Sequence, residues 1–410
     1  MSVPSQQYAG LANDSYEDRR VGVRSPPYNE HVTIEGVDYR IREHVNNART
    51  GYQGTVYQRA DTGEIVVAHR GTEQIWKDGV VADGSMVASR TNPQANDAIE
   101  LTRRAIGYAE QSNKTPGRAA PEVTVTGHSL GGTLAQVSAH HFDLRGETFN
   151  AYGAASLDRR IPEGGNRVLN HVMAADAVSS ASPHYGQVRI YATEREMTVL
   201  RQSGYHEHRG RDFITPDFPL TAAGRSFGSH SMHNFLPVDG DGKPDRSILN
   251  DQAARTRAND NDRSIESYRS DIEARRVGAT VISRGPGGLI RDGVDAIRGP
   301  LPAGEPARRE EEQSQRGRDG RRASVDAPSD RGDVQLARNE GTTQQDYVSR
   351  LLDAAKSGNS ESIRNATQDL QSSPSGQAWQ QRADQEAQQL AQRDAAQQSG
   401  PTHQEAARQA

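Results

Sequence analysis

Cysteine is absent from the 410-residue chain, so disulfides, a thiolate nucleophile and cysteine-ligated zinc are all excluded. Aromatic residues are scarce at 5%, and hydrophobic residues amount to only 33%. That is too little apolar surface for one compact core throughout, so order and disorder should be distributed unevenly along the chain. No apolar run is long enough to span a bilayer, and Met1–Gly10 lacks the charged-then-apolar pattern of a signal peptide. The expectation is a protein that is cytoplasmic as synthesised, with export by a route needing no cleaved leader left open. A net charge of −5 supplies no basic field for nucleic acid, and no nucleic-acid partner is expected.

What is present concentrates around Glu122–Gly132, EVTVTGHSLGG. Val123 and Val125 alternate as a buried strand requires, Gly127-His128-Ser129-Leu130-Gly131 is a G-x-S-x-G, and Thr133–Ala139 reads as a helix. Strand, G-x-S-x-G and helix together make a nucleophile elbow, in which a serine hydroxyl is exposed on a strained turn. Positions 127 and 131 must be nearly free of side chain for strand and helix to close together. N–H groups at the start of the helix face the place where negative charge would develop. A purely structural turn is the alternative, and the strand–turn–helix context argues against it.

Ahead of the elbow, Tyr8–Asp18 has helical spacing and Ser25-Pro26-Pro27 breaks it. Val32–Ile34 and Tyr39–Val45 read as strands around Gly36, and Thr55–Gln58 and Ile65–His69 as two more around Asp61-Thr62-Gly63. Asn96–Gln111 carries a helix face that should cover the sheet. After the elbow, Phe149–Gly153 reads as a strand with its turn, and Arg167–Met173 as the next. Strands joined by helical crossovers imply a mostly parallel sheet, the α/β-hydrolase arrangement.

A serine nucleophile needs a base, and the base needs an orienting carboxylate, in the chain order Ser, Asp/Glu, His for this fold. Asp176 sits just past the strand Arg167–Met173, where the acid belongs; Asp158 is the rival, flanked by Arg159 and Arg160. Five histidines follow before the expected end of the domain. His184 lies close after Asp176 in a turn and should shape the rim of the site. His206 and His208 fall in the charged stretch GYHEHRGRD, and an H-x-H pair without a third ligand is a weak metal site. Ser229–Phe235, SHSMHNF, offers His230 as base, with His233 in reserve.

The stretch VVAHRGTEQIWKD, from Val66 to Asp78, resembles the fungal-type (class 3) lipase family. The resemblance implies that Thr72 and Leu130 supply the two oxyanion-hole donors, which an acyl-transfer intermediate needs. Trp76 and Asp78 then read as packing and loop-fixing residues. Asp176 matches the family's N-x-x-D-x-V pattern with the spacing slightly stretched. His230 matches an H-S-M-x-x-Y ending, with Phe235 in the aromatic place. The family implies a serine ester hydrolase of lipase or phospholipase A type with a Ser129-Asp176-His230 triad and no cofactor. Its expected partners are a lipid or phospholipid ester, a transient membrane surface, and a secretion-machinery or inhibitor protein. A soluble carboxylesterase acting on small esters, and a non-catalytic hydrolase-fold module, remain as the other readings.

The domain is expected over residues 5–245. It closes on Asp239–Asp245, a polar turn that has Lys243 at the fifth position of a calcium-loop pattern and no closing glutamate; a structural calcium ion is the alternative reading there. A polar helical extension follows over 246–299, with a stripe of Ile265, Tyr268 and Ile272, a break at Ser283–Gly288 and a short helix at Leu289–Ile297. Residues 300–340 read as a disordered linker, and 341–410 as a Gln-rich helical module anchored by Leu351, Leu370, Trp379 and Leu390. The composition of this tail is similar to that of bacterial effectors delivered by contact-dependent secretion machines.

Overall fold

The computed structural model describes residues 3–19, 30–71, 90–112, 119–206, 219–239, 241 and 243–320. Two compact units are distinguished, Met1–Ile290 with Gly299–Ser324, and Arg291–Arg298 with Val325–Ala410. Of the second, the described residues comprise the end of one helix.

The first unit opens with helix α1 (Ser5–Asp14) and is built on an eight-stranded sheet whose spatial order is the order of the chain. Strands β1 (His31–Ile34), β2 (Val37–Asn47), β3 (Tyr52–Arg59) and β4 (Ile65–His69) form an antiparallel meander, because their connections are too short for anything but hairpins. Strands β5 (Val123–His128), β6 (Arg145–Phe149), β7 (Gly164–Met173) and β8 (Tyr185–Tyr191) continue the sheet in parallel. A parallel step needs a crossover, and helices α2 (Ala95–Ser112) and α3 (Leu130–Phe142) provide those on either side of β5.

β4 and β5 are buried at every position, as central strands covered on both faces must be. Alternate side chains enter different apolar clusters. Ile65, Val67 and Val125 pack with Leu101, Ala105 and Leu134 of the crossover helices. Val66, Ala68 and Phe149 pack with Tyr8 and Leu11 of α1 and with Phe235. This is an α/β fold with helices on a mostly parallel sheet.

Several elements depart from the sequence reading. The strand expected at Phe149–Gly153 ends at Phe149, since its parallel pairing with β5 runs over Arg145–Phe149 and the chain then turns. β8 and helix α5 (Glu194–Gln202), which follows the short helix α4 (Ala177–Ser180), were not anticipated. The unit does not close at 245. After helix α6 (Pro219–Arg225), helices α7 (Gln252–Asp260) and α8 (Asp262–Arg298) bring Ala254, Ala258, Ile265, Tyr268 and Ile272 into the core. The polar residues of this stretch lie on its outer faces, and the stripe of Ile265, Tyr268 and Ile272 read from the sequence is buried in the core instead of belonging to a separate extension. α8 also runs through Gly285-Pro286-Gly287-Gly288, where the sequence suggested a break.

Part of the stretch expected to be a disordered linker, residues 305–320, is helical. Helix α9 (Glu305–Gly320) starts beside α3, with the Gly304 N–H donating to the His140 carbonyl at 2.8 Å and Glu310 meeting Arg103 and His141. Ionic and backbone contacts dock this segment, with Ala303 packed against the core. The remainder of the linker and the Gln-rich module lie outside the described residues.

Candidate active site

β5 delivers Ser129 at its end with φ 57° and ψ −126°, a region that costs a non-glycine residue on the order of 1–3 kcal/mol. The surrounding backbone enforces it. A Cβ on Gly127 would lie 2.4 Å from the Gly131 carbonyl carbon, and one on Gly131 would lie 2.0 Å from the His69 carbonyl oxygen. Strand and helix therefore touch backbone to backbone. The Ser129 N–H donates to the Phe149 carbonyl at 3.1 Å. Leu130 is buried as the first residue of α3, so its N–H has no acceptor within the helix.

Asp176 follows β7 as the N-cap of α4, accepting from the N–H groups of Val178 at 3.2 Å and Ser179 at 3.0 Å. His230 ends a single 3₁₀ turn, Phe227–His230. Asn150 ties these two loops together, donating from Nδ2 to the Ser229 carbonyl at 2.7 Å and accepting from the Met173 N–H at 2.9 Å. The outcome is a continuous line. His230 Nδ1 is 2.9 Å from Asp176 Oδ1, and His230 Nε2 is 2.9 Å from Ser129 Oγ. Burial pushes the Asp176 carboxyl up, but the charge and bond of His230 and the Ser179 N–H outweigh it, and the group sits below its ordinary value. An ionised Asp176 accepts from Nδ1–H, which leaves Nε2 of the neutral ring to accept from the serine hydroxyl.

The other candidates are placed elsewhere. His233 is exposed, with its N–H donating to Ser231 Oγ at 3.3 Å. Asp158 donates its N–H to the Arg90 carbonyl at 2.9 Å, after the turn Ala154–Ser156. His184 is not a rim residue; it is buried with its ring 2.9 Å from the Ala151 carbonyl. His206 is exposed. Thr72, Trp76, Asp78 and His208 lie outside the described residues. In the turn at Asp239, Oδ1 accepts from the Asp241 and Lys243 N–H groups, and Lys243 Nζ lies 3.5 Å from Asp241. Among the described residues, no group of three or more His, Asp or Glu side chains is placed to hold a metal ion.

Two residues of the site escaped the sequence reading. His128 hydrogen-bonds through Nε2 to the His230 carbonyl at 2.8 Å and through Nδ1 to the Tyr16 hydroxyl at 3.0 Å. A carbonyl can only accept, so Nε2 carries the proton and Nδ1 accepts from the tyrosine. Glu196 accepts from the Ala175 N–H at 3.0 Å and the Thr193 N–H at 2.8 Å, which anchors the approach to Asp176. Burial pushes its carboxyl up despite those donors. The capping box Thr193-x-x-Glu196 is readable in the sequence; its second use, on Ala175, is not.

Residues 7–205 match the family model described as a Tle-like phospholipase domain, a phospholipase-like family. Residues 7–205 form a phospholipase-like hydrolase domain. Ser129 and Asp176 fall inside the matched span and His230 beyond it. Comparison with curated protein sequences finds no match. Among solved structures, this chain is similar to a lipase from Rhizopus microsporus var. chinensis, at 19% identity, 45% of this chain, 72% of that chain and a TM-score of 0.32. It is also similar to the Lip2 lipase of Yarrowia lipolytica (15% identity, 45% and 77% of the two chains, TM-score 0.31). A triacylglycerol lipase from Penicillium expansum gives 17% identity, 45% and 77% of the two chains, and a TM-score of 0.29.

Proposed function

We propose that the chain is a serine ester hydrolase that cleaves acyl esters of lipids, phospholipids foremost. Ser129 is the nucleophile, His230 the general base and acid, and Asp176 the carboxylate that orients the imidazole. The N–H groups of Thr72 and Leu130 bind the oxyanion. The observation that carries this reading is the pair of 2.9 Å contacts running from Ser129 Oγ through both nitrogens of His230 to Asp176 Oδ1. The phospholipid preference is supported by the family-model match alone.

Ser129 Oγ bonds to the acyl carbonyl carbon as its proton passes to His230 Nε2. The carbonyl oxygen takes the negative charge and meets the Leu130 N–H at the start of α3. The bond to the alcohol oxygen then breaks, His230 returns the proton to that oxygen, and an acyl ester on Ser129 remains. With a phospholipid the departing alcohol is a lysophospholipid. Water, deprotonated by His230, repeats the attack, releasing fatty acid and restoring Ser129. Asp176 stays ionised throughout and stabilises the imidazolium. These steps call for no cofactor.

The test is fatty-acid release from phosphatidylethanolamine–phosphatidylglycerol vesicles by the purified chain. Ser129→Ala should lower it by about 10³-fold or more. Turnover of a short p-nitrophenyl ester without vesicle hydrolysis would make the protein a soluble carboxylesterase. Hydrolysis of neither would leave a non-catalytic module.

A further inference from the structure

The Asp176 loop has an outer side as well as the inner one facing His230, and α8 meets it there, beyond the span matched to the phospholipase-like family. Tyr268 donates its hydroxyl to the Ala175 carbonyl at 3.2 Å. Arg269 donates from Nη2 to the Ser179 carbonyl at 2.7 Å and from Nη1 to Ser180 Oγ at 3.1 Å. Arg276 donates from Nε to the Ala181 carbonyl at 2.8 Å. Ser180 Oγ in turn donates to the Asp176 carbonyl at 2.6 Å. Arg269 and Arg276 are two helical turns apart and Tyr268 adjoins the first, so one helix face addresses successive carbonyls of a single loop. An arginine whose fork ends on a buried turn is not a solvated ion pair. Burial works against the charge on Arg269, and the Asp176 carboxylate works for it.

We propose that Arg269 is a positioning residue for the reaction: it clamps the Asp176–Ser180 turn through Ser179 and Ser180, and it sets a fixed positive charge behind the carboxylate that orients His230. This rests on the reading of Asp176 as that carboxylate. Two consequences set it apart from a residue that only packs. Loosening the turn misplaces the carboxylate against His230, which lowers kcat and leaves KM. Removing the positive charge makes the His230 imidazolium easier to form, so the base becomes available only at higher pH. The other charged and titratable groups facing the pair are His128, His184, Glu196, Tyr268 and Arg276, whose charge is paired with Glu273. Burial holds His128 and His184 neutral and keeps the Tyr268 phenol protonated. Burial also pushes the Glu196 carboxyl up, and Glu273 is bonded to Arg276 at 3.2 Å. None of these supplies the lost positive charge.

The test uses the full chain, assayed between about pH 5 and pH 9 on a soluble p-nitrophenyl ester and on the phospholipid vesicles. Arg269→Met should lower kcat by about 10- to 100-fold with KM little changed, and move the acid limb of kcat/KM upward by on the order of one pH unit. Arg269→Lys should keep the limb where it is and lose part of kcat, since a point charge cannot span the acceptors of a planar fork. Arg276→Met should lower kcat without moving the limb. A wild-type kcat in Arg269→Met, or a fall in kcat with the limb unmoved, overturns the proposal. If Arg269→Met does not fold, Arg269→Gln is read in its place by the same criteria. Ser129→Ala separates the two readings: if it is inactive while Arg269→Met behaves as wild type, only the role of Arg269 fails. An active Ser129→Ala would remove the hydrolase mechanism itself.

Discussion

His128 donates from Nε2 to the carbonyl oxygen of His230 at 2.8 Å, and the two rings lie 4.9 Å apart. The residue just before the nucleophile thus holds the backbone of the proposed base, and Tyr16 at the end of the α1 segment fixes its other nitrogen. Burial, with a smaller push from the charge of His230, holds His128 at about 3. It therefore stays neutral in one tautomer and does not compete as a base.

Replacing His128 by Phe keeps a ring in place but removes both bonds. The expected outcome is a kcat lower by about 10- to 100-fold and a loss of about 1–3 kcal/mol of stability from the two buried hydrogen bonds removed. His128→Gln, which can still donate, should recover part of kcat. Steady-state kinetics beside a urea melt check this, and unchanged kcat in the Phe variant would refute the positioning role.

Gly131→Ala should destabilise the fold by about 3 kcal/mol or more, because its Cβ would lie 2.0 Å from the His69 carbonyl oxygen, which belongs to backbone that cannot move aside. Gly107 in α2 has nothing within 4 Å of such a Cβ, and Gly107→Ala should stabilise by up to about 1 kcal/mol. Equal effects of the two substitutions on the melting temperature would contradict the packing described for the elbow.

Stability should fall on acidification from near neutrality. Burial brings His69, His128 and His184 from 6.5 to about 3, so below pH 6.5 the unfolded chain binds protons that the folded chain refuses. Their stabilisation is fully present above 6.5 and is lost from there down towards 3, by about 1.4 kcal/mol per pH unit for each histidine. Asp176, also held below its ordinary value, acts in the same direction over a lower pH range. Its contribution is present above the ordinary carboxylate range and is lost only below it. Urea midpoints at a series of pH values measure the slope, and His69→Gln should reduce it by one proton. A flat profile from neutrality down to about pH 4.5 would rule the account out.

A chain ending after Asp245 should fail to fold stably. It would lose Ile265, Tyr268 and Ile272 from the core, at about 2 kcal/mol each, together with the clamp on the Asp176 loop. Ending it after residue 320 instead keeps α7, α8 and α9 and should leave the melting temperature of the first unit unchanged. Thermal melting of the two truncations against the full chain decides between them. A stable, active chain ending at Asp245 would return the boundary to where composition alone puts it.

The elbow and the front meander were legible because their constraints are local. Gly127, Ser129 and Gly131 lie within one strand–turn–helix, and each hairpin closes over a few residues. Asp176 was legible as a polar residue capping the end of an apolar strand. β8 was not, because Tyr185–Tyr191 sits at the edge of the sheet with three distinct exposure levels and so shows no clean alternation. The bonds from His128 to His230 and from Arg269 to Ser179 join residues 102 and 90 positions apart; no local periodicity encodes such pairings.

By itself, then, the sequence determined the strained turn that carries Ser129 and the hairpins of the front meander, since sterics within a few residues permit no other backbone there. Which histidine meets Ser129 was decided by tertiary structure. His230 and His233 share the segment SHSMHNF, and residue type does not separate them. Ser231 between them is extended, at φ −61° and ψ 136°, and ends one 3₁₀ turn before the next begins. With the Ser229 carbonyl held by Asn150 and the His230 carbonyl by His128, that change of direction leaves His230 at 6% exposure against Asp176 and turns His233 out to solvent.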